Sequence, residues 1–91
     1  METKKLCCGI DVSHATLDVC YQNNLGELFY LKVGNNNSGY QQIMEHTGAG
    51  YHFVMEATGV YYIRLAFYLH QRGCSLSVVN AISIKRYIQM H

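Results

Sequence analysis

The first third of the chain holds three short strand-like segments, after which the apolar residues change to a helical spacing. These segments cover residues 5–12, 17–22 and 27–33. The turn at residues 23–26 contains Asn and Gly, which tolerate the positive φ angles of tight turns. Segments this close in sequence pair readily with their neighbours. The chain is therefore predicted to begin with a three-stranded antiparallel meander.

The remainder of the sequence alternates helix-like and strand-like segments. The predicted elements are a helix over residues 39–46, a strand over 51–56, a helix over 59–72, a strand over 75–79 and the beginning of a helix over 81–90. Strands that alternate with helices after a meander favour an α/β fold. We therefore expect a mixed sheet, of meander strands plus parallel strands, with helices packed on its faces.

Cap residues set the expected ends of the two complete helices. Asn37 or Ser38 can cap the first helix, and Gly48 can end it. Thr58 can cap the second helix, and Gly73 can stop it. Apolar residues nearly encircle this second helix, so we expect it to be covered on much of its surface. The first strand, with small or apolar residues on both sides, is also expected to be covered on both faces.

Composition limits the chain to one globular domain over residues 1–91. Hydrophobic residues make up 49% of its 91 residues and charged residues 14%, which excludes intrinsic disorder. It has no membrane-spanning run and no secretory signal, so we expect a cytoplasmic protein. A net charge of +1 does not favour nucleic acid. The four cysteines lack a C-x-x-C pair and are expected to be free, buried thiols.

Two carboxylates stand where the apolar pattern predicts none. Asp11 comes near the end of the first strand, and Glu56 ends the fourth. If these strands are parallel neighbours, both carboxylates meet at one end of the sheet, where they repel unless a proton or a cation lies between them. Oxygen ligands of this kind suit Mg²⁺ or Mn²⁺. The alternative is that Asp11 is a turn residue and Glu56 favours the dipole of the next helix.

Other polar residues have ordinary structural explanations beside functional ones. Asp18, in the interior of the second strand, is a third candidate carboxylate but is expected to be exposed on a half-covered strand. His14 is expected to face solvent, with a general-acid role as the alternative. Tyr61 and Tyr62 could stack on bases but are expected to pack between helix and sheet. Surface positions without a metal-ligand pattern are expected for His46, His52, His70 and His91, and solvated or phosphate-contacting positions for Arg64, Arg72, Lys85 and Arg86.

Several stretches together resemble one known family. They are residues 9–13 (Gly-Ile-Asp-Val-Ser) with 17–19 (Leu-Asp-Val), then 55–61 (Met-Glu-Ala-Thr-Gly-Val-Tyr), then 78–80 (Val-Val-Asn) before 85–87 (Lys-Arg-Tyr). This combination resembles the N-terminal domain of the DEDD transposases of bacterial insertion sequences. The resemblance covers nearly the whole chain and implies a RuvC-like fold of the ribonuclease-H type.

The resemblance also implies a function and a site. Asp11 matches the first acidic residue of the family and Glu56 the second, as catalytic metal ligands for Mg²⁺ or Mn²⁺. DNA is the implied partner, and some members are guided by an RNA from their own element. A homo-oligomer is left open for the full-length form. Members also carry a separate C-terminal domain with a serine nucleophile.

The chain departs from the family pattern in two ways. Asn80 is followed by Ala81 where members often have Pro, and no acidic residue follows Glu56, whereas the family has a third and a fourth. The leading hypothesis is therefore an N-terminal part of a transposase, which acts in DNA transposition by metal-dependent strand cleavage and exchange in the full-length protein. We expect these 91 residues to be inactive alone and to bind metal weakly at best.

Two other classes of function remain open from the sequence. The chain could be a non-catalytic module that binds nucleic acid or pairs with a full-length transposase, an alternative that the long apolar helix motivates. It could also be half of a sugar-kinase-like or actin-like ATPase, since those also open on a Gly-Ile-Asp strand. The ATPase class expects a Gly-rich phosphate-binding turn next, and residues 13–16 (Ser-His-Ala-Thr) contain no Gly.

Overall fold

Strands and helices follow one another in the predicted order. The computed structural model describes residues 6–56 and 59–79. In chain order the elements are β1 (Cys7–Val12), β2 (Thr16–Gln22), β3 (Leu28–Gly34), α1 (Asn37–Thr47), β4 (His52–Glu56), α2 (Ile63–Gln71) and β5 (Ser75–Val79). The predicted helix over residues 81–90, the N-cap Thr58 and the first residue of the first predicted strand lie outside the described residues.

The five strands form one mixed sheet in the order β3–β2–β1–β4–β5. β1, β2 and β3 pair antiparallel, whereas β4 is parallel to β1, and β5 is parallel to β4. Parallel neighbours cannot be joined by a tight turn, and α1 and α2 supply the crossovers. This confirms the predicted α/β fold of a meander plus parallel strands, and the arrangement is consistent with a ribonuclease-H-like sheet.

The core lies between one face of the sheet and the two helices. Alternate side chains of β1 are buried, among them Cys8 and Ile10, because successive residues of a strand point to opposite faces. Ile43 of α1 and Leu69 of α2 are fully buried in the same cluster. Burial of a Leu or Ile side chain contributes about 1.5–3 kcal/mol, so this shared cluster is what attaches both helices to the sheet.

The opposite face of the sheet is not covered within residues 6–56 and 59–79. We call it the open face, and it carries Cys7, Gly9 and Asp11 of β1 with their neighbours on the other strands. Cys7 and Asp11 are exposed and Gly9 is half-buried. The expectation of a first strand covered on both faces is therefore wrong for the described part of the chain. The prediction failed because Cys and Gly are small enough to lie on either a covered or an exposed face of a sheet.

The N-cap of helix α1 lies one or two residues earlier than predicted. Asn36 is the N-cap, and its side-chain oxygen accepts from the backbone N–H of Gly39 at 2.9 Å. The expected caps, Asn37 and Ser38, are instead the first helical residues. Gly48 ends the helix as predicted, with a φ of 78° that a residue with a side chain rarely adopts.

Helix α2 begins four residues later than predicted and is less covered. Gly59 has a φ of 82°, outside the helical region, and Ile63 N–H bonds to the carbonyl of Val60 in a turn. The helix therefore starts at Ile63, although Gly73 follows its end as predicted. Ile63 is 51% exposed and Phe67 61% exposed. The prediction that α2 is covered on much of its surface is therefore wrong for the side that carries these two residues.

Neither helix of the described chain is long and apolar enough to cross a membrane.

The four cysteines occupy different environments. Cys8 and Cys74 are buried as expected, Cys20 is half-buried, and Cys7 is exposed on the open face. The expectation of buried thiols is therefore wrong for Cys7, because adjacent residues of a strand face opposite sides of the sheet. Burial, reinforced by the nearby Cys20 and Cys7 thiols, raises the pKa of Cys8 to about 12. That thiol stays protonated at neutral pH.

Candidate active site

Asp11 and Glu56 lie side by side at one end of the open face. They are register partners in the parallel pairing of β1 and β4. Paired residues of neighbouring strands project from the same face, and neighbouring strands lie about 4.8 Å apart. Asp11 is exposed and Glu56 is half-buried. The condition set by the sequence, that these two strands are parallel neighbours, is confirmed. The role of the two carboxylates as ligands stays a prediction.

The strand pleat explains why two carboxylates emerge on this side. Ile10 and Val12 flank Asp11 and are buried against the helices, so Asp11 must face away from them. Met55 is fully buried in the same way, and Glu56 follows it on the opposite face. The apolar neighbours that anchor each strand in the core therefore also direct its acidic side chain into the open face.

Asp18 is a third carboxylate on the open face, directly across β1 from Glu56. Its register partner in the antiparallel pairing of β1 and β2 is Asp11. The side chain of Asp18 is 53% exposed, which confirms the sequence prediction, and its Oδ1 lies 3.7 Å from Nζ of Lys32. The sequence reasoning missed its position beside Asp11. The short connection between β1 and β2 was the available signal, since it fixes the hairpin register.

One row of side chains crosses the whole sheet at this level. Its members, from β3 to β5, are Lys32, Asp18, Asp11, Glu56 and Val79. A groove of about 580 Å³ runs along this face, and these five residues all line it. Three carboxylates in the row face one ammonium group. The groove therefore carries net negative charge, which favours cations and disfavours bare phosphates.

The residues in the groove fit a hard divalent cation only in part. Mg²⁺ prefers oxygen ligands, keeps several waters and uses one or two protein carboxylates together with substrate phosphates. Asp11 and Glu56 provide two such carboxylates in an open groove with room for further oxygens. Within residues 6–56 and 59–79, no group of three or more His, Cys, Asp or Glu residues could hold a metal ion. Asp11 and Glu56 therefore supply only part of a ligand set among the described residues.

A neutral side chain, Asn35, joins the segments that follow the two carboxylates. It bonds to the backbone of Ser13, just after β1, and to the backbone of Tyr61, between β4 and α2. Sequence reasoning missed this residue because its partners lie 22 and 26 positions away. No local pattern distinguishes Asn35 from Asn36 and Asn37 beside it.

The histidines of the described chain have ordinary surroundings. His14 is exposed, and its ring meets the Tyr61 ring edge-on with centroids 5.0 Å apart. His46 Nδ1 is 3.2 Å from the Tyr21 hydroxyl, and both ring nitrogens of His52 bond to serine hydroxyls. The prediction of surface or hydrogen-bonded histidines is confirmed for these and for exposed His70; His91 lies outside the described residues.

Some of the tyrosines and arginines near α2 pack against other side chains, and others are exposed. Tyr62 packs against the core, as predicted, whereas Tyr61 is 47% exposed and contacts His14. The guanidinium of Arg72 lies 3.6 Å from the centre of the Tyr68 ring. Arg64 is exposed. Lys85 and Arg86 lie outside the described residues.

Comparison with known proteins adds a family to this geometry. No curated protein sequence matches the chain. The family profile of the IS110-type DEDD transposases, described as "Transposase", matches residues 8–91. That match covers both carboxylates and almost the entire sequence. The chain belongs to this family of DEDD transposases.

Proposed function

We propose that Asp11 and Glu56 are the first two carboxylate ligands of a Mg²⁺- or Mn²⁺-dependent site for DNA strand cleavage and exchange. The observation that carries the proposal is their register pairing on the open face. A surface salt-bridge role would not need two carboxylates side by side. Carboxylates held this close repel one another unless a cation or a proton intervenes.

A bound ion would supply the Lewis acidity that polarises a phosphodiester oxygen. The chain itself supplies the two carboxylate groups that would hold the ion, on neighbouring, paired strands. The groove around them leaves space for a phosphate and for waters. The ammonium group of Lys32 lies 3.7 Å from Asp18 Oδ1 and partly neutralises that third carboxylate.

Membership of a transposase family implies DNA as the partner. The negative row in the groove repels DNA phosphates, so approach of DNA to this edge would depend on the divalent ion. A guide RNA and self-association in the full-length form stay as predictions from the family resemblance.

We further propose that residues 1–91 do not cleave DNA alone. The sequence after Glu56 contains no Asp or Glu, so these residues cannot complete a cluster of four acidic ligands. Two carboxylates without further protein ligands hold Mg²⁺ weakly. Recombination or cleavage of DNA by the purified 91-residue chain, lost on Asp11→Ala, would overturn this.

Binding of Mn²⁺, followed by electron paramagnetic resonance of the free ion, tests the ligand assignment. Asp11→Asn and Glu56→Gln should each weaken Mn²⁺ binding by about tenfold or more, because each removes one of two anionic ligands. Glu45→Gln is the matched control, since Glu45 is exposed on α1, away from the groove. Equal Mn²⁺ affinity in all four proteins would contradict the assignment.

A second candidate is a pairing module, which exposed apolar residues of α2 and the preceding turn favour. Val60 is 65% exposed, Ile63 51% and Phe67 61%. Sedimentation equilibrium of the wild type and Phe67→Asp tests it. Self-association that Phe67→Asp abolishes would support the module. A monomer at every concentration, with no binding of DNA or RNA at low salt, would rule it out.

A further inference from the structure

A single asparagine side chain joins the segments that leave the two acidic strands. Asn35 follows β3, and its Nδ2 donates to the carbonyl oxygen of Ser13 at 2.9 Å and to that of Tyr61 at 3.0 Å. Ser13 comes two residues after Asp11, and Tyr61 comes five residues after Glu56. One amide group therefore holds both segments at once.

The chemistry of its partners fixes the orientation of the Asn35 amide. The two backbone carbonyls can only accept, so both must receive hydrogens from Nδ2. The remaining Oδ1 accepts from the hydroxyl of Tyr40, a buried residue of α1. A flipped amide would set oxygen against two carbonyl oxygens. The backbone N–H of Asn35 also donates to the carbonyl of Ala15 at 2.9 Å, which fixes the residue to the β1–β2 turn.

A second contact joins the same two segments independently of Asn35. The rings of His14 and Tyr61 meet edge-on, at an interplanar angle of 71°. Asp11 and Glu56 form the last register pair of the β1–β4 ladder in the described chain. Beyond that pair, these side-chain contacts restrain the two segments in the described part of the chain.

We propose that Asn35 is a positioning residue, which clamps the segment after β1 to the segment after β4 and so holds the strand ends that carry Asp11 and Glu56 at their paired spacing. The inference deepens the proposed metal site and rests on it for its functional consequence. A fixed spacing matters because a divalent cation of the Mg²⁺ type demands near-ideal ligand geometry. Asn35 touches neither an ion nor DNA in this role; it acts through the backbone of Ser13 and Tyr61.

Amide hydrogen exchange tests the clamp without any metal. The amides of Ser13 and Ile63 close the two turns that Asn35 holds, by bonds to the carbonyls of Thr16 and Val60. In Asn35→Ala both amides should exchange about tenfold faster, because local opening of either turn becomes easier. The Gly26 amide, in the β2–β3 turn, is the reference for a turn that Asn35 does not contact.

Asn36→Ala is the matched control, since it removes a neighbouring asparagine with a purely helical role. It should speed exchange at the Gly39 amide, which Asn36 caps, and leave Ser13 and Ile63 within about twofold of the wild type. Asn35→Asp keeps the acceptor for Tyr40 but loses the two donors, so it should behave like Asn35→Ala. Acceleration in only one segment, or equally in Asn36→Ala, would overturn the clamp.

Mn²⁺ binding separates the clamp from its consequence. Asn35→Ala and Asn35→Asp should weaken Mn²⁺ binding by about fivefold or more, whereas Asn36→Ala should bind like the wild type. Unchanged Mn²⁺ affinity in the two Asn35 variants would contradict the positioning role. A wild type that takes up no Mn²⁺ would instead defeat the proposed metal site, and the exchange rates would still decide whether Asn35 couples the two segments.

Discussion

Gly39, in the first turn of α1, lies directly against the backbone of Gly34 at the end of β3. A Cβ atom built on Gly39 would overlap the carbonyl oxygen of Gly34. Neither backbone can move easily, because Gly34 closes the β2–β3 ladder and the Gly39 amide is bound by the Asn36 cap. The close approach sets where α1 leaves the sheet, and with it the position of Asn35 between them.

Gly39→Ala should destabilise the protein by about 2 kcal/mol or more, because the added methyl group forces the helix start away from β3. Urea denaturation followed by circular dichroism measures the loss. Gly50→Ala is the control, since a Cβ there meets nothing within 4 Å and Gly50 has no positive φ. If both substitutions change the free energy of unfolding equally, the close packing of α1 against β3 does not contribute to the stability of the protein.

Tyr40→Phe should cost about 1 kcal/mol, the usual net contribution of a hydrogen bond. The ring of Tyr40 would keep its contact with Tyr68, at a centroid distance of 5.2 Å, while Asn35 would lose its hydroxyl donor. Burial raises the pKa of Tyr40, although Arg64 opposes the shift, so the hydroxyl remains a donor throughout the neutral range. The measurement is the urea midpoint at constant m-value.

The control for that change is Tyr30→Phe, since Tyr30 is 76% exposed on β3. This substitution removes a hydroxyl group that is exposed to solvent, so it should leave the urea midpoint unchanged. A Tyr40→Phe protein as stable as Tyr30→Phe would show that the Tyr40–Asn35 bond contributes nothing.

The stability of the protein should fall as pH rises above about 9, in part because of Cys8. Burial raises the pKa of this thiol from an ordinary value of 9.0 to about 12, so above pH 9 the unfolded chain releases a proton that the folded chain retains. The contribution of protonated Cys8 to the free energy of unfolding is therefore fully present below pH 9. It is lost as pH rises towards 12, at up to about 1.4 kcal/mol per pH unit.

Urea denaturation of the wild type and Cys8→Ala between pH 8 and about 10.5 isolates this contribution, because other titrating groups are common to both proteins. The difference in free energy of unfolding between the two should narrow as pH rises. Parallel pH dependences of the two free energies of unfolding would contradict a buried, protonated Cys8.

Alkylation at pH 8 should modify exposed Cys7 in the folded protein and buried Cys8 only after unfolding.

Sequence patterning predicted the order of the elements and the bounds of β5, because apolar periodicity is a local signal. It misplaced the N-cap of α1 and the start of α2. Three successive asparagines, residues 35–37, all qualify as caps by type. Only the position of α1 against Gly34 selects Asn36 for the cap and leaves Asn35 to bind Ser13 and Tyr61.

The candidate site was predictable in part for the same reason. The apolar pattern marked Asp11 and Glu56 as exceptions, and the parallel pairing of their strands then placed them together. The position of Asp18 beside Asp11 and the contacts of Asn35 escaped prediction, because hairpin register sets the first and long-range hydrogen bonds set the second. Such partners depend on the folded structure and leave no spacing in the sequence.

Paramagnetic broadening by Mn²⁺ tests the central claim, that Asp11 and Glu56 together hold a divalent cation, most directly. In ¹H–¹⁵N spectra at substoichiometric Mn²⁺, the amides of Asp11 and Glu56 and their strand neighbours should broaden first, while those of Gly26 and Gly48 stay sharp. The Asp11→Asn, Glu56→Gln double variant should lose this local broadening. Broadening centred on another part of the chain, or unchanged in the double variant, would contradict the account.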